Sequence, residues 1–206
     1  MKTKLFIDFD KTIFDTSQVK ERLYRIFGQF GCSKEEIDRT YLAESLDGKF
    51  SPEGQAKRLN QIRPLDLDII EMKIKTIIAD SAKILYSDTI EFLDNIDRQK
   101  FEVDLLSYGD EEFQNRKVKH SGIVDKFDNI YITNIEKQIY LQENNIVAEN
   151  DYFIVIDDKL GNLEKISQKY AKAFMIYMVR SIDDIGSGFS FKGVKVRNLQ
   201  QASQYL

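Results

Sequence analysis

Short apolar runs recur along the chain and are separated by longer amphipathic stretches. Six such runs, the last shorter and less marked, cover residues 4–7, 101–106, 129–133, 152–156, 173–179 and 193–196. Mostly apolar runs of this length are typical of parallel strands that are buried on both faces. Because helix patterns lie between most of the runs, the sequence predicts an α/β fold with a doubly wound parallel sheet.

The stretches between the later runs carry apolar residues at helical spacing. Ser87 is a candidate N-cap for one helix, and Asp110 is a candidate N-cap for a second helix that Gly122 ends. Three further helices are predicted over residues 135–144, 160–170 and 199–206. Gly186 and Gly188 predict a mobile loop before the last strand.

Residues 16–85 interrupt this alternation, because they carry helix patterns and no good strand. Ser33 and Glu36 have the spacing of a capping box at the start of one helix. Ser51 followed by Pro52 predicts the start of another, because proline is well suited to the first helical position.

The helical segment divides the chain into two predicted domains. The core is formed by residues 1–15 and 86–206, and the cap is formed by residues 16–85. Because the cap is inserted directly after the first strand, its position favours a lid over the active edge of the sheet. The alternative is a subdomain that only adds packing.

The composition excludes several classes of protein. Of the 206 residues, 42% are hydrophobic and 31% are charged, which excludes a disordered chain. A formal net charge of −4 predicts no binding to nucleic acid or to membranes. One cysteine, Cys32, and one histidine, His120, exclude a disulfide framework and a histidine-rich metal site. The first apolar run is too short for a signal peptide, so we expect a cytoplasmic protein.

Polar side chains follow four of the predicted strands, where ligands bind in open α/β sheets. They are Asp8, Asp10, Thr12, Ser107, Lys137, Asp157 and Asp158. Four carboxylates gathered at one edge repel one another unless some are protonated or a cation lies among them. Because the ligands are oxygen atoms without histidine or cysteine, they favour a hard ion, Mg²⁺ above all.

The same residues resemble the motifs of the haloacid dehalogenase (HAD) superfamily. Residues 6–12, Phe-Ile-Asp-Phe-Asp-Lys-Thr, resemble its first motif, and residues 105–107, Leu-Leu-Ser, are similar to its second. Lys137 resembles the lysine of the third motif, and residues 155–158, Val-Ile-Asp-Asp, resemble the acidic fourth motif. Lys117 and Lys119 also follow the second motif, but Lys137 is preferred because it lies just past a predicted strand.

The resemblance implies a Rossmann-like core with a helical C1 cap and a set of residue roles. It implies that Asp8 attacks phosphorus and forms an aspartyl-phosphate, while Asp10 is the general acid and base. Lys137 steadies Asp8 and binds phosphate together with Thr12 and Ser107. The resemblance also implies that Mg²⁺ is held by Asp8, the backbone carbonyl of Asp10 and Asp158, with Asp157 bound either directly or through water.

The second aspartate of the first motif bears on the reaction. The dehalogenating members that resemble this pattern lack it, so Asp10 favours phosphate chemistry. We therefore expect a Mg²⁺-dependent phosphatase that hydrolyses a small phosphorylated metabolite. A phosphomutase or phosphotransferase of the same superfamily and a catalytically silent binding protein remain alternatives. A phosphorelay receiver domain fits less well, because its phosphoacceptor lies on a later strand than its acidic pair.

Overall fold

A computed structural model describes residues 2–46, 49–180 and 191–206. Its sheet has six strands in the order β3-β2-β1-β4-β5-β6, and every neighbouring pair is parallel. The strands are β1 Thr3–Ile7, β2 Phe101–Tyr108, β3 Asn129–Thr133, β4 Phe153–Asp157, β5 Phe174–Met178 and β6 Gly193–Val196. The predicted α/β fold and all six predicted strands are confirmed. The predicted loop at Gly186 and Gly188 lies outside the described residues.

The sheet is buried on both faces, as its apolar runs predict. Leu5 and Ile7 of β1 belong to one apolar cluster, whereas Phe6 between them belongs to a second cluster. This alternation follows from the two-residue repeat of a strand. Helices supply both clusters, with Val118 packed in the first and Leu163 in the second. The sheet is therefore covered by helices on each side.

Within the described residues, five α-helices follow the inserted region, and they are α5 Thr89–Asn95, α6 Glu111–Ser121, α7 Lys137–Glu143, α8 Leu160–Lys169 and α9 Leu199–Ala202. Helix α6 is capped as predicted, because Asp110 accepts a hydrogen bond from the Phe113 amide and Gly122 has a φ of 73°. The predicted cap at Ser87 is wrong, since α5 begins at Thr89. Helix α9 is shorter than predicted because a 3₁₀ turn at Ser203–Tyr205 replaces its last part.

Four helices lie between β1 and α5, and they are α1 Thr16–Gln29, α2 Lys34–Ser45, α3 Pro52–Ile62 and α4 Leu67–Ala79. The capping box of Ser33 and Glu36 is present with both of its hydrogen bonds. Ser51 accepts a hydrogen bond from the Gly54 amide at the start of α3, directly before Pro52. The helical character predicted for this segment is confirmed, and its role as a separate cap stays a prediction.

The two ends of the inserted segment lie side by side. The Asp15 amide donates to the Ile84 carbonyl at 2.9 Å, and the Tyr86 amide donates to the Ile13 carbonyl at 3.1 Å. The four helices are therefore joined to the sheet by two neighbouring stretches of backbone. In the described part of the chain, no helix has the length and apolarity needed to cross a membrane.

Candidate active site

The loop after β1 places Asp8 at the carboxyl edge of the sheet. The Asp8 amide donates to the Ile156 carbonyl at 2.9 Å, which joins it to the neighbouring strand β4. The Phe9 carbonyl then accepts hydrogen bonds from the amides of Ile13 and Phe14, both at 3.0 Å. The chain can turn this tightly because Lys11 adopts a positive φ of 58°. The turn keeps the residues after Asp8 at the same edge.

The Asp8 carboxylate is held by two side chains. The Lys137 Nζ donates to Asp8 Oδ1 at 2.6 Å, and the Thr12 hydroxyl donates to Oδ2 at 3.2 Å. Lys137 is the first residue of α7 and is 2% exposed. It also donates to Asp157 Oδ2 at 2.6 Å. Burial opposes the charge of Lys137, but Asp157 and Asp8 outweigh it and raise the pKa of the lysine.

Three carboxylates form a cluster around this lysine. Oxygen atoms of Asp8, Asp157 and Asp158 all lie within 4.8 Å of one another. Burial raises the pKa of Asp158 from 3.8 to about 8, and the charges of Asp8 and Asp157 add to the rise. Burial also raises the pKa of Asp8 to about 6, although Lys137 opposes this change. One ammonium group thus faces three acids that repel one another.

The two acids after β4 have different surroundings. Asp157 accepts hydrogen bonds from Lys137, from the Lys159 amide at 2.7 Å and from the Asn162 side chain at 3.1 Å. Asp158 accepts no hydrogen bond from any of the described residues. A cluster of oxygen ligands with a carboxylate left without a donor fits a hard divalent cation such as Mg²⁺. Asp8 and Asp158 are the side chains best placed to hold it, with Asp157 bound mainly by the protein.

The Asp10 carboxylate is directed away from that cluster. Lys117 Nζ donates to both of its oxygens, at 2.5 and 2.7 Å. Gln114 Nε2 donates to Oδ2 at 2.6 Å, and the Thr16 hydroxyl donates to Oδ1 at 2.8 Å. Burial alone would raise the pKa of Asp10, but Lys117 outweighs it, helped by Gln114 and Thr16, so that the pKa lies below its usual value.

Lys117 is the residue that sequence reasoning missed, because Lys137 was preferred to it. Both lysines lie at the site, and each holds a different aspartate. Lys117 is 1% exposed on the buried face of α6, where Phe113 and Val118 also lie. Residues four apart lie on the same face of a helix, and a lysine is unusual on a face that is otherwise apolar. That signal is present in the sequence.

Ser107 lies near the end of β2, as expected for a phosphate ligand. Its hydroxyl is buried and has no hydrogen-bond partner among the described residues. Buried hydroxyl groups are usually hydrogen-bonded, so an unpaired one at this edge indicates a place for a ligand oxygen. The predicted phosphate-binding group of Thr12, Ser107 and Lys137 therefore lies on three neighbouring segments, which follow or end β1, β2 and β3.

A cavity of about 300 Å³ lies between the sheet edge and the inserted helices. Asp10, Lys117 and Asp158 line it on the side of the sheet. The residues that line it from the inserted segment are mainly apolar and aromatic, and they include Val19, Leu23, Tyr41 and Phe50. The inserted helices thus form one wall of the cavity.

Comparison with protein-family models finds no match, and comparison with curated protein sequences finds none either. Solved structures do match over nearly the whole chain. A protein described as a haloacid dehalogenase-like hydrolase of Burkholderia xenovorans aligns with a TM-score of 0.78 at 18% identity, covering 99% of this chain and 96% of that one. The chain has the haloacid dehalogenase-like fold.

Two further structures with this fold differ in what their descriptions report. The HAD-hydrolase YfnB of Bacillus subtilis, described as bound to magnesium, aligns with a TM-score of 0.67 at 16% identity over 99% of this chain and 98% of that one. The L-2-haloacid dehalogenase of Xanthobacter autotrophicus aligns with a TM-score of 0.65 at 12% identity, again over 99% and 98%. The resemblance of the motifs is thus matched by the fold, and the fold accommodates more than one reaction.

Proposed function

We propose that this protein is a HAD-superfamily hydrolase, a Mg²⁺-dependent phosphatase that acts on a small phosphomonoester. The observation that carries the proposal is the separation of two aspartates of the first motif. Asp8 belongs to the acid cluster and shares Lys137 with it, whereas Asp10 has a separate set of hydrogen-bond donors at the cavity wall. This separation supports attack by the first carboxylate and proton transfer by the second.

In the proposed reaction, Asp8 attacks the phosphorus atom and its Oδ forms a bond as the bond to the leaving oxygen breaks. The protonated form of Asp10 gives its proton to that oxygen, and the alcohol leaves. Asp10 then takes a proton from a water molecule, whose oxygen attacks the aspartyl-phosphate. Inorganic phosphate departs and Asp8 is free again.

Three other side chains support these steps. Lys137 holds the Asp8 carboxylate in place and contributes positive charge where negative charge develops. Ser107 and Thr12 are proposed to donate hydrogen bonds to phosphoryl oxygens. When held by Asp8 and Asp158, Mg²⁺ supplies positive charge that offsets the charge of the phosphate.

Dehalogenation is the second candidate, because several of the matched structures are described as dehalogenases. Asp10 favours phosphate chemistry, since displacement of halide from carbon produces an anion that needs no proton. Phosphoryl transfer to an acceptor other than water and a catalytically silent site are the remaining alternatives. The products of the reaction distinguish these alternatives.

The test is an assay of purified protein with Mg²⁺ against a panel of phosphomonoesters, including p-nitrophenyl phosphate, and against 2-haloacids. We expect phosphate release that stops in EDTA and returns with Mg²⁺. Halide release, or turnover in metal-free buffer, would contradict the proposal. Phosphorylated products other than inorganic phosphate would indicate a transferase, and failure with every compound would indicate a silent site.

A further inference from the structure

Lys117 has no role in the chemistry proposed above, yet it is among the most deeply buried charges described. Its side chain is 1% exposed, and its Nζ lies over the rings of Phe9, Phe14 and Phe113, at 5.5, 5.3 and 4.7 Å from their centroids. Burial of an ion pair in such surroundings is costly, and an apolar side chain would pack there at least as well. Stability alone therefore gives little reason for a lysine here.

The direction of its hydrogen bonds points to a role in the reaction. Lys117 donates to both oxygens of Asp10, and Gln114, three residues earlier on α6, donates to one of the same oxygens. Gln114 is oriented in turn by its bond to the Tyr108 carbonyl at 3.3 Å. The amide cannot be reversed without placing its oxygen against a carboxylate and a carbonyl. Helix α6 thus holds the Asp10 carboxylate in one orientation.

That orientation leaves Asp10 at the surface of the cavity. Its side chain is 27% exposed, although Lys117 behind it is fully buried. Both residues line the cavity, as do Gln114 and the apolar wall of the inserted helices. The donors of α6 bind the buried side of this carboxylate, and its other side is open to the cavity. Its orientation is therefore fixed relative to a ligand bound in the cavity.

We propose that Lys117, with Gln114, is a positioning residue that holds the carboxyl group of Asp10 in the orientation from which its protonated form gives a proton to the oxygen of the leaving group. The inference rests on the proposed phosphatase function and deepens it. The loss of activity on removing Lys117 should therefore depend on the leaving group, and it should be largest where that group must be protonated as it leaves. An alkoxide needs one before it can leave, whereas a nitrophenolate leaves without one.

Two probes of similar size separate these cases: p-nitrobenzyl phosphate has an alkoxide leaving group, and p-nitrophenyl phosphate has a stable phenolate. The quantity to compare is kcat/KM, because it covers the steps up to phosphoryl transfer and omits the later hydrolysis of the aspartyl-phosphate. For Lys117→Met we expect kcat/KM to fall by about 10²-fold with the benzyl ester, the scale of general acid catalysis. We expect little change with the phenyl ester.

The matched control is Lys119→Met, which removes an exposed lysine two residues further along the same helix. Both probes should be turned over by this variant as by the wild type. Asp10→Asn should show the same selective loss as Lys117→Met, and the double variant should lose no further selectivity. Lys117→Arg keeps the charge and the donors, so it should recover part of the loss.

An equal loss with both probes would overturn the inference, because a structural defect or a direct contact with phosphate lowers both. Should Lys117→Met fail to fold, Gln114→Leu removes the other α6 donor and must show the same selectivity, in a smaller amount. A non-selective Gln114→Leu would then overturn the inference. Absence of turnover in the wild-type protein would instead contradict the proposed function, so the two failures are distinguishable.

Discussion

Lys117 and Lys137 are both buried at the carboxyl edge of the sheet, and their surroundings differ. Lys137 is shared between Asp8 and Asp157, with a third carboxylate close by. Lys117 gives two hydrogen bonds to a single carboxylate, Asp10, and is enclosed by three aromatic rings. One side of the site is therefore short of positive charge, and the other is balanced.

The surroundings of Lys137 and of Lys117 therefore favour different roles in the site. On the Lys137 side, burial and the charges of Asp8 and Asp157 raise the pKa of Asp158, and a bound cation would offset this repulsion. On the Lys117 side, the pKa of Asp10 lies below its usual value because Lys117 and the other donors outweigh burial. A divalent cation is expected only where the charge is unbalanced.

The largest effect is expected from Asp8→Asn, which removes the attacking carboxylate from the unbalanced side. Turnover of phosphomonoesters should fall by about 10³-fold or more, because neither Lys137 nor Asp10 can replace the nucleophile. Phosphate release measures the change, and Asp68→Asn, an exposed acid of α4, is the control. Activity close to that of the wild type would mean that the nucleophile is assigned wrongly.

A smaller but substantial effect on stability is expected from Lys137→Met. It leaves two buried carboxylates without their shared partner, and breaking a buried ion pair costs about 3 kcal/mol or more. Urea denaturation in EDTA should show this loss, with partial recovery when Mg²⁺ is added. Lys117→Met removes the lysine partner of only one carboxylate, so it should lower the free energy of unfolding by less. An equal loss in the two variants would contradict the contrast between the two sides.

Binding of Mg²⁺ should raise the melting temperature of the wild-type protein. At a hundredfold excess over the dissociation constant, a ligand specific for the folded state contributes about 2.7 kcal/mol. Asp158→Asn should abolish most of this stabilisation, whereas Asp10→Asn should keep it because the Asp10 carboxylate lies outside the cluster. The reverse ranking would place the cation on the Lys117 side.

The smallest expected change, for a step of one pH unit, concerns stability in the absence of metal. Because the pKa of Asp158 is raised from 3.8 to about 8 in the folded protein, the folded state binds more protons than the unfolded state between these values. Its contribution to stability therefore decreases as pH rises through that window. For each pH unit within this window, the free energy of unfolding of the wild type should fall by about 1.4 kcal/mol relative to that of Asp158→Asn. A difference that is independent of pH would contradict the shift.

The sequence by itself determined the sheet and the positions of most chemical groups. Strands buried on both faces need continuous apolar runs, so a local pattern is enough to locate them. Parallel strands end at one edge, so Asp8 and Asp158 could be placed together from the chain order alone. The start of α5 was missed because Asp88, which precedes it, binds Arg180 instead of capping the helix, a contact between residues far apart in sequence.

Only the tertiary structure decided which carboxylate each lysine faces. Lys137 follows a strand, and its place is fixed by the sheet, whereas Lys117 lies within a helix. The direction of a helical side chain at the site depends on how the whole of α6 packs against the loop after β1. Sequence spacing shows that Lys117 lies on an apolar face, but the partner that makes its charge tolerable, Asp10, comes from 107 residues earlier in the chain.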